Sequence, residues 1–363
     1  MAAKSKVYLI FVILAGLCWG TYVPFVAQGG KELKSSYAAL LCVGAAYFLI
    51  AILLPVAILW VRGKMPQWNA AGLTFATLAG AAGAIGALCV ILATFEFNGP
   101  KIYVAPVIFA LAPVINTLVS LSWHPDEGPF TIGLARERPH WSIYIGIVLA
   151  GLGAGLVLLA KELTESAHGA KAPGGEEPAN PLYIVFVLLA GLCWGTYVPL
   201  IAQGGKELKS SYASLLCVGV AYFLIAILFP IAMFLVRGFP SFKPTGTTLA
   251  TLAGVAGAVG ALCVIFATFE FKGPRMYVAP VIFALAPVIN TLVSLFWHPA
   301  TGQNVWKFGL PEDPPHWSLY VGIVLAGTGA GLVLYAKELT EARHAPKPPA
   351  APASAPAAQA VKS

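Results

Sequence analysis

The amino-acid sequence consists largely of two similar copies of one repeat. Residues 14–52 and 189–227 are identical at all but four of their 39 positions, and the likeness continues to the KELTE segments at 161–165 and 337–341. Each copy holds five apolar segments of membrane-spanning length. Because five is odd, the second copy must enter a membrane in the opposite orientation to the first. The sequence therefore predicts two inverted repeats, an arrangement that is typical of transporters.

Composition indicates that most of the chain lies in lipid. Charged residues make up 10% of the chain and apolar residues 58%, whereas a soluble domain carries about 25% charged residues. Segments of about 20–25 residues span a hydrocarbon core of ~30 Å as helices. We therefore predict an all-α polytopic membrane protein with ten transmembrane helices. The predicted parts are a first five-helix repeat (1–160), a linker (161–181), a second five-helix repeat (182–336) and a disordered tail (337–363).

Basic residues set the predicted orientation. They are scattered over short loops and form no stripe, so we expect no nucleic-acid partner. Lys4, Lys6, Lys64 and Lys272 have no basic counterpart in the other copy, and all fall on the side of the N-terminus. By the positive-inside rule we expect both termini in the cytoplasm and the protein in the cell (inner) membrane.

Aromatic and polar residues cluster around prolines in the first helix of each copy. The segment Trp19–Pro24 has the sequence WGTYVP, and Trp194–Pro199 repeats it. Proline cannot donate a hydrogen bond to the preceding turn, which frees a backbone carbonyl inside the span. The residues of this motif are either core packing or the lining of a site. The candidates for solute binding are Trp19, Thr21, Tyr22, Trp194, Thr196 and Tyr197, and the predicted helix breaks are Pro24 and Pro199.

The fourth helix of each copy carries an amide one turn after a proline. Asn116 follows Pro113, and Asn290 follows Pro287. An amide in hydrocarbon is costly unless it is paired, so it bonds to another helix or lines a wet cavity. Both alternatives remain open. We predict helix breaks at the two prolines, and a cavity between the first and fourth helices and their copies.

Ionisable residues are rare near the spans. Glu96 and its copy Glu270 end the third helices, and we assign them either to the interface or to gating and proton coupling. The polar residues 28–34 are predicted to lie in a loop. We find no nucleotide-binding, Ser/His/Asp or metal motif, and expect no cofactor, no metal, no catalytic residue and no enzymatic activity. Glycines at Gly80, Gly83 and Gly86, and at Gly151 and Gly155, predict close helix contacts.

Three motifs, in the same order in both copies, carry a family resemblance: CWGTYVP, IFALAPVINTLVS and YIGIVLAGLGAGLVLL. The chain resembles the drug/metabolite transporter superfamily, with its EamA-type five-helix repeat present twice. This resemblance implies a ten-helix carrier with a central cavity, lined here by Trp19, Tyr22, Asn116 and their copies. The second helix begins Tyr37–Leu40 without the arginine often found there, which argues against anionic substrates. The opening motif is also similar to the sugar-uptake branch.

The main hypothesis is a secondary transporter that moves a small neutral or weakly polar metabolite by alternating access. The alternatives are a sugar-uptake type permease of the same superfamily, a channel or facilitator, and a non-transporting membrane scaffold. The expected partners are a small-molecule solute and membrane lipid, and the sequence is also compatible with a homodimer.

Overall fold

The computed structural model describes residues 7–63, 66–124, 127–128, 130–133, 140–167, 179–267, 271, 275–299, 305–310 and 314–344. Within these ranges the regular structure is helical. The helices in chain order are α1 (Tyr8–Leu33), α2 (Ser36–Arg62), α3 (Ala70–Glu96), α4 (Lys101–Ser122), α5 (Ser142–Ala167), α6 (Tyr183–Leu208), α7 (Ser211–Arg237), α8 (Pro244–Ile265), α9 (Arg275–Phe296) and α10 (Ser318–His344).

Length and apolarity identify a polytopic membrane protein. Eight of these helices, α1 to α8, are long and apolar enough to cross a bilayer. The other two contain shorter apolar stretches within the described residues, Val281–Phe296 and Ser318–Val333. The predicted all-α membrane class is confirmed at this level.

Helices of one copy pack mainly on helices of the other. Helix α1 lies against α8 and α9, α6 lies against α3 and α4, and α5 pairs with α10. Glycine makes these approaches close. A Cβ added to Gly29 in α1 would lie 2.8 Å from the backbone nitrogen of Ala250, and one added to Gly204 in α6 would lie 2.7 Å from that of Ala76. Equivalent positions of the two copies thus make equivalent contacts.

Helices α2 and α7 each contain a π-helical segment, at Phe48–Leu53 and Phe223–Leu228. Pro55 explains the first π-helical segment, because it offers no N–H to the Ala51 carbonyl four residues earlier. The backbone hydrogen bonds in this segment instead join residues five positions apart, as from the Leu54 nitrogen to the Leu49 carbonyl. The Ala51 oxygen packs on α7 instead, 2.5 Å from where a Cβ of Gly219 would lie. The other copy repeats this arrangement with Pro230, Ala226 and Gly44.

The first helix is longer than predicted, so the assignment of 28–34 to a loop is wrong. Helix α1 continues to Leu33, and Lys34 then turns the chain with φ 50°. The Ser35 side chain caps α2 by accepting a hydrogen bond from the Ala38 nitrogen at 3.2 Å. Lys34 and Ser35 alone connect α1 to α2, so the polar residues before them remain part of helix α1.

Other predicted boundaries lie partly outside the described residues. Helix α5 runs to Ala167, into the predicted linker, and helix α10 runs to His344, into the predicted tail. The linker residues 168–178 and the tail residues 345–363 lie outside the described residues. The helical assignment continues through all four proposed breaks, at Pro24, Pro113, Pro199 and Pro287.

Glycines of α5 contact α10, but not the ones that we predicted. A Cβ at Gly151 or Gly155 would have no neighbouring heavy atom within 4 Å. A Cβ at Gly146 would lie 2.6 Å from the Val333 nitrogen, and one at Gly153 would clash with the backbone of Ala326. Gly146 and Gly153 are seven residues apart and therefore share a face of the helix, whereas the predicted pair faces outward.

Candidate functional site

A small cavity of about 60 Å³ lies where the two copies meet. Eight aromatic rings dominate its wall, four from each copy, and four small or aliphatic residues complete it. The lining residues are Trp19, Tyr22, Tyr47, Gly83, Phe109, Trp194, Tyr197, Val198, Tyr222, Gly257, Ala261 and Phe283. We call this the aromatic cavity. It draws on α1, α2, α3 and α4 and on the equivalent helices α6, α7, α8 and α9.

Two tryptophans are fixed by reciprocal hydrogen bonds between the copies. Trp19 Nε1 donates to the Gly257 carbonyl at 3.4 Å, and Trp194 Nε1 donates to the Gly83 carbonyl at 3.3 Å. One turn further, Gly86 leaves room for the Trp194 indole, where any Cβ would clash with it. Glycine is needed at such positions because only hydrogen lets ring and backbone approach this closely.

The floor of the aromatic cavity is a stacked tyrosine pair. The rings of Tyr47 and Tyr222, one from each copy, lie 3.6 Å apart between centroids and 4° from parallel. Tyr22 meets the Trp194 ring edge-on at 5.9 Å between centroids, and the rings of Phe109 and Phe283 lie 6.5 Å apart and are tilted by 57°. The edge-on contact of Tyr22 is a favourable arrangement for an aromatic pair, whereas the Tyr47–Tyr222 pair lies nearly face to face, which is the less favoured arrangement.

The cavity wall carries no charged side chain among its lining residues. The two indole N–H groups already have carbonyl partners. Within the described part of the chain, the buried Tyr22 hydroxyl has no hydrogen-bond partner. Such a wall offers ring faces and tyrosine hydroxyls, which suits a flat or apolar solute with few polar atoms and gives no compensation to a strong ion.

The structure brings together only part of the predicted site. Trp19, Tyr22, Trp194 and Tyr197 line the aromatic cavity. The hydroxyls of Thr21 and Thr196 donate to carbonyls of their own helices, Leu17 and Leu192, at 3.0 Å. These threonines satisfy their hydroxyls locally and are not lining residues.

The two amides lie outside the aromatic cavity. Asn116 is 3% exposed and Asn290 is fully buried. Asn290 Nδ2 donates to the Lys101 carbonyl at 3.3 Å, which ties α9 to the start of α4. The sequence left open whether the amide bonds to another helix or lines a wet cavity, and this contact of Asn290 is a bond to another helix. The Oδ1 atoms of both residues have no hydrogen-bond partner within the described residues.

Carboxylates near the spans differ in burial. Glu96 is exposed and accepts a hydrogen bond from the Ser36 hydroxyl, while Glu270 lies outside the described residues. Glu32, which the loop assignment had set aside, is only 1% exposed and lies 3.4 Å from the Gln28 amide nitrogen. The extra turns of α1 explain this burial, and Glu32 joins Glu96 and Glu270 as a candidate for proton coupling.

Comparisons with known proteins do not assign a family. A scan against models of protein families finds no match to this chain, and a search of curated proteins finds none that matches. Among the described residues, no three His, Cys, Asp or Glu side chains are grouped so that they could hold a metal ion.

The sequence analysis missed half of the rings in the cavity wall, namely Tyr47, Phe109, Tyr222 and Phe283. A usable signal was present, because each stands deep in an apolar span and recurs at the equivalent position of the other copy. Nothing local separates such a ring from ordinary core packing. Only the docking of α2 on α7 brings Tyr47 and Tyr222 face to face.

Proposed function

We propose that this protein is a secondary transporter that moves a small, neutral or weakly polar solute by alternating access. The proposal includes ten transmembrane helices in two inverted five-helix repeats, with α9 and α10 as the last two spans. It also includes location in the cell (inner) membrane with both termini in the cytoplasm, and membership of the drug/metabolite transporter superfamily. The protein is then a carrier and not an enzyme.

The observation that most supports a carrier is that both copies contribute residues to the wall of the aromatic cavity. Ten of the lining residues form five equivalent pairs: Trp19 and Trp194, Tyr22 and Tyr197, Tyr47 and Tyr222, Gly83 and Gly257, and Phe109 and Phe283. A site shared equally by two repeats can be opened to either side by rocking one repeat against the other.

The size of the cavity implies a contracted state. About 60 Å³ is the liquid volume of roughly two water molecules, whereas ligand pockets usually measure about 300–1,000 Å³. Solute entry therefore requires the wall to open. Contacts that join the two copies, such as the Tyr47–Tyr222 stack, would separate as the wall opens.

Reconstitution into liposomes tests the proposal. Uptake would be measured for nicotinamide and uracil as flat neutral solutes, glucose as a sugar and choline as a cation. We expect saturable uptake and counterflow for a flat neutral solute. We expect Trp194→Ala to lower uptake at least tenfold, because it removes a ring and a bond between the copies. Gly151→Ala is the control, since a Cβ there meets no neighbouring atom.

Each alternative gives a different result. Saturable uptake of glucose alone would favour a sugar permease. Uptake that neither saturates nor shows counterflow would favour a channel or facilitator. No uptake of any compound by folded protein would contradict transport and favour a membrane scaffold.

A further inference from the structure

A second, larger cavity of about 500 Å³ lies at the end of the molecule where α1 and α9 finish and α4 begins. It shares no lining residue with the aromatic cavity. Its wall is far more polar and includes Gln28, Thr94, Asn98, Thr164 and Ser294. We call it the vestibule.

Three lysines from separate parts of the chain line the vestibule. Lys31 comes from the last turn of α1, Lys101 from the first turn of α4, and Lys307 from the segment between α9 and α10. Lys101 Nζ lies 5.1 Å from the centre of the Trp297 ring, a cation–π contact that holds it against the wall. Among the lining residues that the structure describes, these lysines give the wall its positive character.

The start of helix α4 adds to this positive character. The vestibule wall includes Pro100, Lys101 and Ile102, and no side chain caps this end of the helix. Helix α4 has 22 residues, and a helix N-terminus carries a partial positive charge that attracts anions. The helix and the three lysines thus act on the same space.

Two polar atoms at the vestibule are buried without a partner. Ser294 Oγ and His298 Nε2 have no hydrogen-bond partner within the described part of the chain, and both residues line the vestibule. Two hydrogen bonds between the segments 297–299 and 305–310 fix their surroundings. The His298 nitrogen donates to the Lys307 carbonyl at 2.9 Å, and the buried Trp297 indole donates to the Val305 carbonyl at 2.7 Å. A ligand with oxygen atoms would supply the missing partners.

From these observations we propose that the vestibule binds an anionic group, a carboxylate or a phosphate. The group belongs either to a free small molecule or to the headgroup of an anionic lipid. Lys31, Lys101 and Lys307 attract it, and Ser294 and His298 bond to its oxygens. The site goes beyond the proposed transport of a neutral solute, and binding can be measured without any transport.

The opposite end of the molecule supplies a matched comparison. The first copy makes the equivalent hydrogen bond, in which the His124 nitrogen donates to the Thr131 carbonyl at 2.9 Å. Thr131 therefore stands where the second copy has Lys307. Lys307→Thr gives the vestibule the residue that the chain already uses at the equivalent position, and Lys307 is exposed, so the variant should fold normally.

The experiment measures binding to purified protein in phosphatidylcholine nanodiscs. Calorimetry would use benzoate, inorganic phosphate and neutral benzyl alcohol. Native mass spectrometry would count phosphatidylglycerol adducts. We expect an anion to bind and benzyl alcohol not to, with binding weakened by added salt. Lys307→Thr and Lys101→Gln should each weaken it about tenfold, in line with the loss of one charge-assisted contact.

Two control variants complete the design. Lys243→Gln removes an exposed lysine that is not part of the vestibule wall, and Trp19→Ala alters only the aromatic cavity; both should leave anion binding unchanged. Benzoate or phosphate binding points to a free anion, and phosphatidylglycerol adducts alone point to a lipid headgroup. Equal binding of benzyl alcohol would overturn the proposal. So would anion or lipid binding that Lys307→Thr and Lys101→Gln do not change, or the absence of both.

Discussion

The centre and the ends of the molecule use the internal repeat differently. At the centre, a residue and its copy are the same, and the indoles of Trp19 and Trp194 make the same hydrogen bond to the other copy. At the ends, equivalent positions of the two copies carry different side chains. Phe25 packs edge-on against Trp297 at 5.2 Å in a cluster with Leu249, whereas at the other end Phe75 packs on Trp123 at 5.2 Å. Phe75 is equivalent to Leu249, and Leu200 is equivalent to Phe25.

This difference has a physical basis. At the centre each ring contacts the other copy, and changing Tyr47 alone would remove the partner of Tyr222. At an end, a cluster needs only the right total volume around its tryptophan. Around Trp297, Phe25 and Leu249 together supply that volume, and moving the larger side chain from one position to the other would conserve it, a kind of exchange that packed cores tolerate best.

The largest effect is expected where the centre has no spare room. Gly86→Ala would drive a methyl group into the Trp194 indole, and Gly260→Ala would do the same to Trp19. We expect each to lower the free energy of unfolding by about 1–3 kcal/mol through overpacking. Unfolding in SDS would measure this, with Gly151→Ala as the control. Clearly unequal losses for the two variants would break the equivalence of the copies at the centre.

A smaller loss should follow removal of one indole hydrogen bond. Trp19→Phe and Trp194→Phe keep an aromatic ring but remove the donor to Gly257 or Gly83. We expect each variant to lose about 1 kcal/mol of unfolding free energy, and both to lose the same amount within error. If one of them has no effect, its hydrogen bond is not part of the stable state.

The ends can be tested by exchange. Phe25→Leu should cost about 1 kcal/mol by removing the edge-on contact with Trp297. Adding Leu249→Phe gives the two positions the residues found at the equivalent positions, Leu200 and Phe75, and should restore at least half of the lost unfolding free energy. A double-mutant cycle on unfolding free energies would show this coupling. Strict additivity would mean that the two positions do not share one cluster.

The smallest effect is expected at Glu96. This carboxylate is exposed, so Glu96→Gln should change the free energy of unfolding by less than about 0.5 kcal/mol. Glu32→Gln, at a buried carboxylate, should have the larger effect. Comparing the pH dependence of uptake in both variants would show which of them, if either, takes part in proton coupling. If both variants keep the full pH dependence of uptake, neither Glu96 nor Glu32 takes part in proton coupling.

Several features of the site required the tertiary structure. The WGTYVP motif led to Trp19, Tyr22 and their copies, which line the aromatic cavity, because a large amphipathic group deep in an apolar span is conspicuous in sequence. Asn116 was equally conspicuous, but it lies outside the aromatic cavity. The direction in which a deep polar group points depends on the rotation of its helix against its neighbours, which no local pattern encodes.

The sequence by itself determined the class of protein and the existence of two copies, since apolar length is a local property that sets what can cross a bilayer. It did not determine that Pro55 widens α2 so that Ala51 packs on Gly219, or that Tyr47 stacks on Tyr222. Nor did it show that Glu32 is buried or that Lys31, Lys101 and Lys307 line one vestibule. These facts join residues far apart in the chain, and only the packing of one copy on the other decides them.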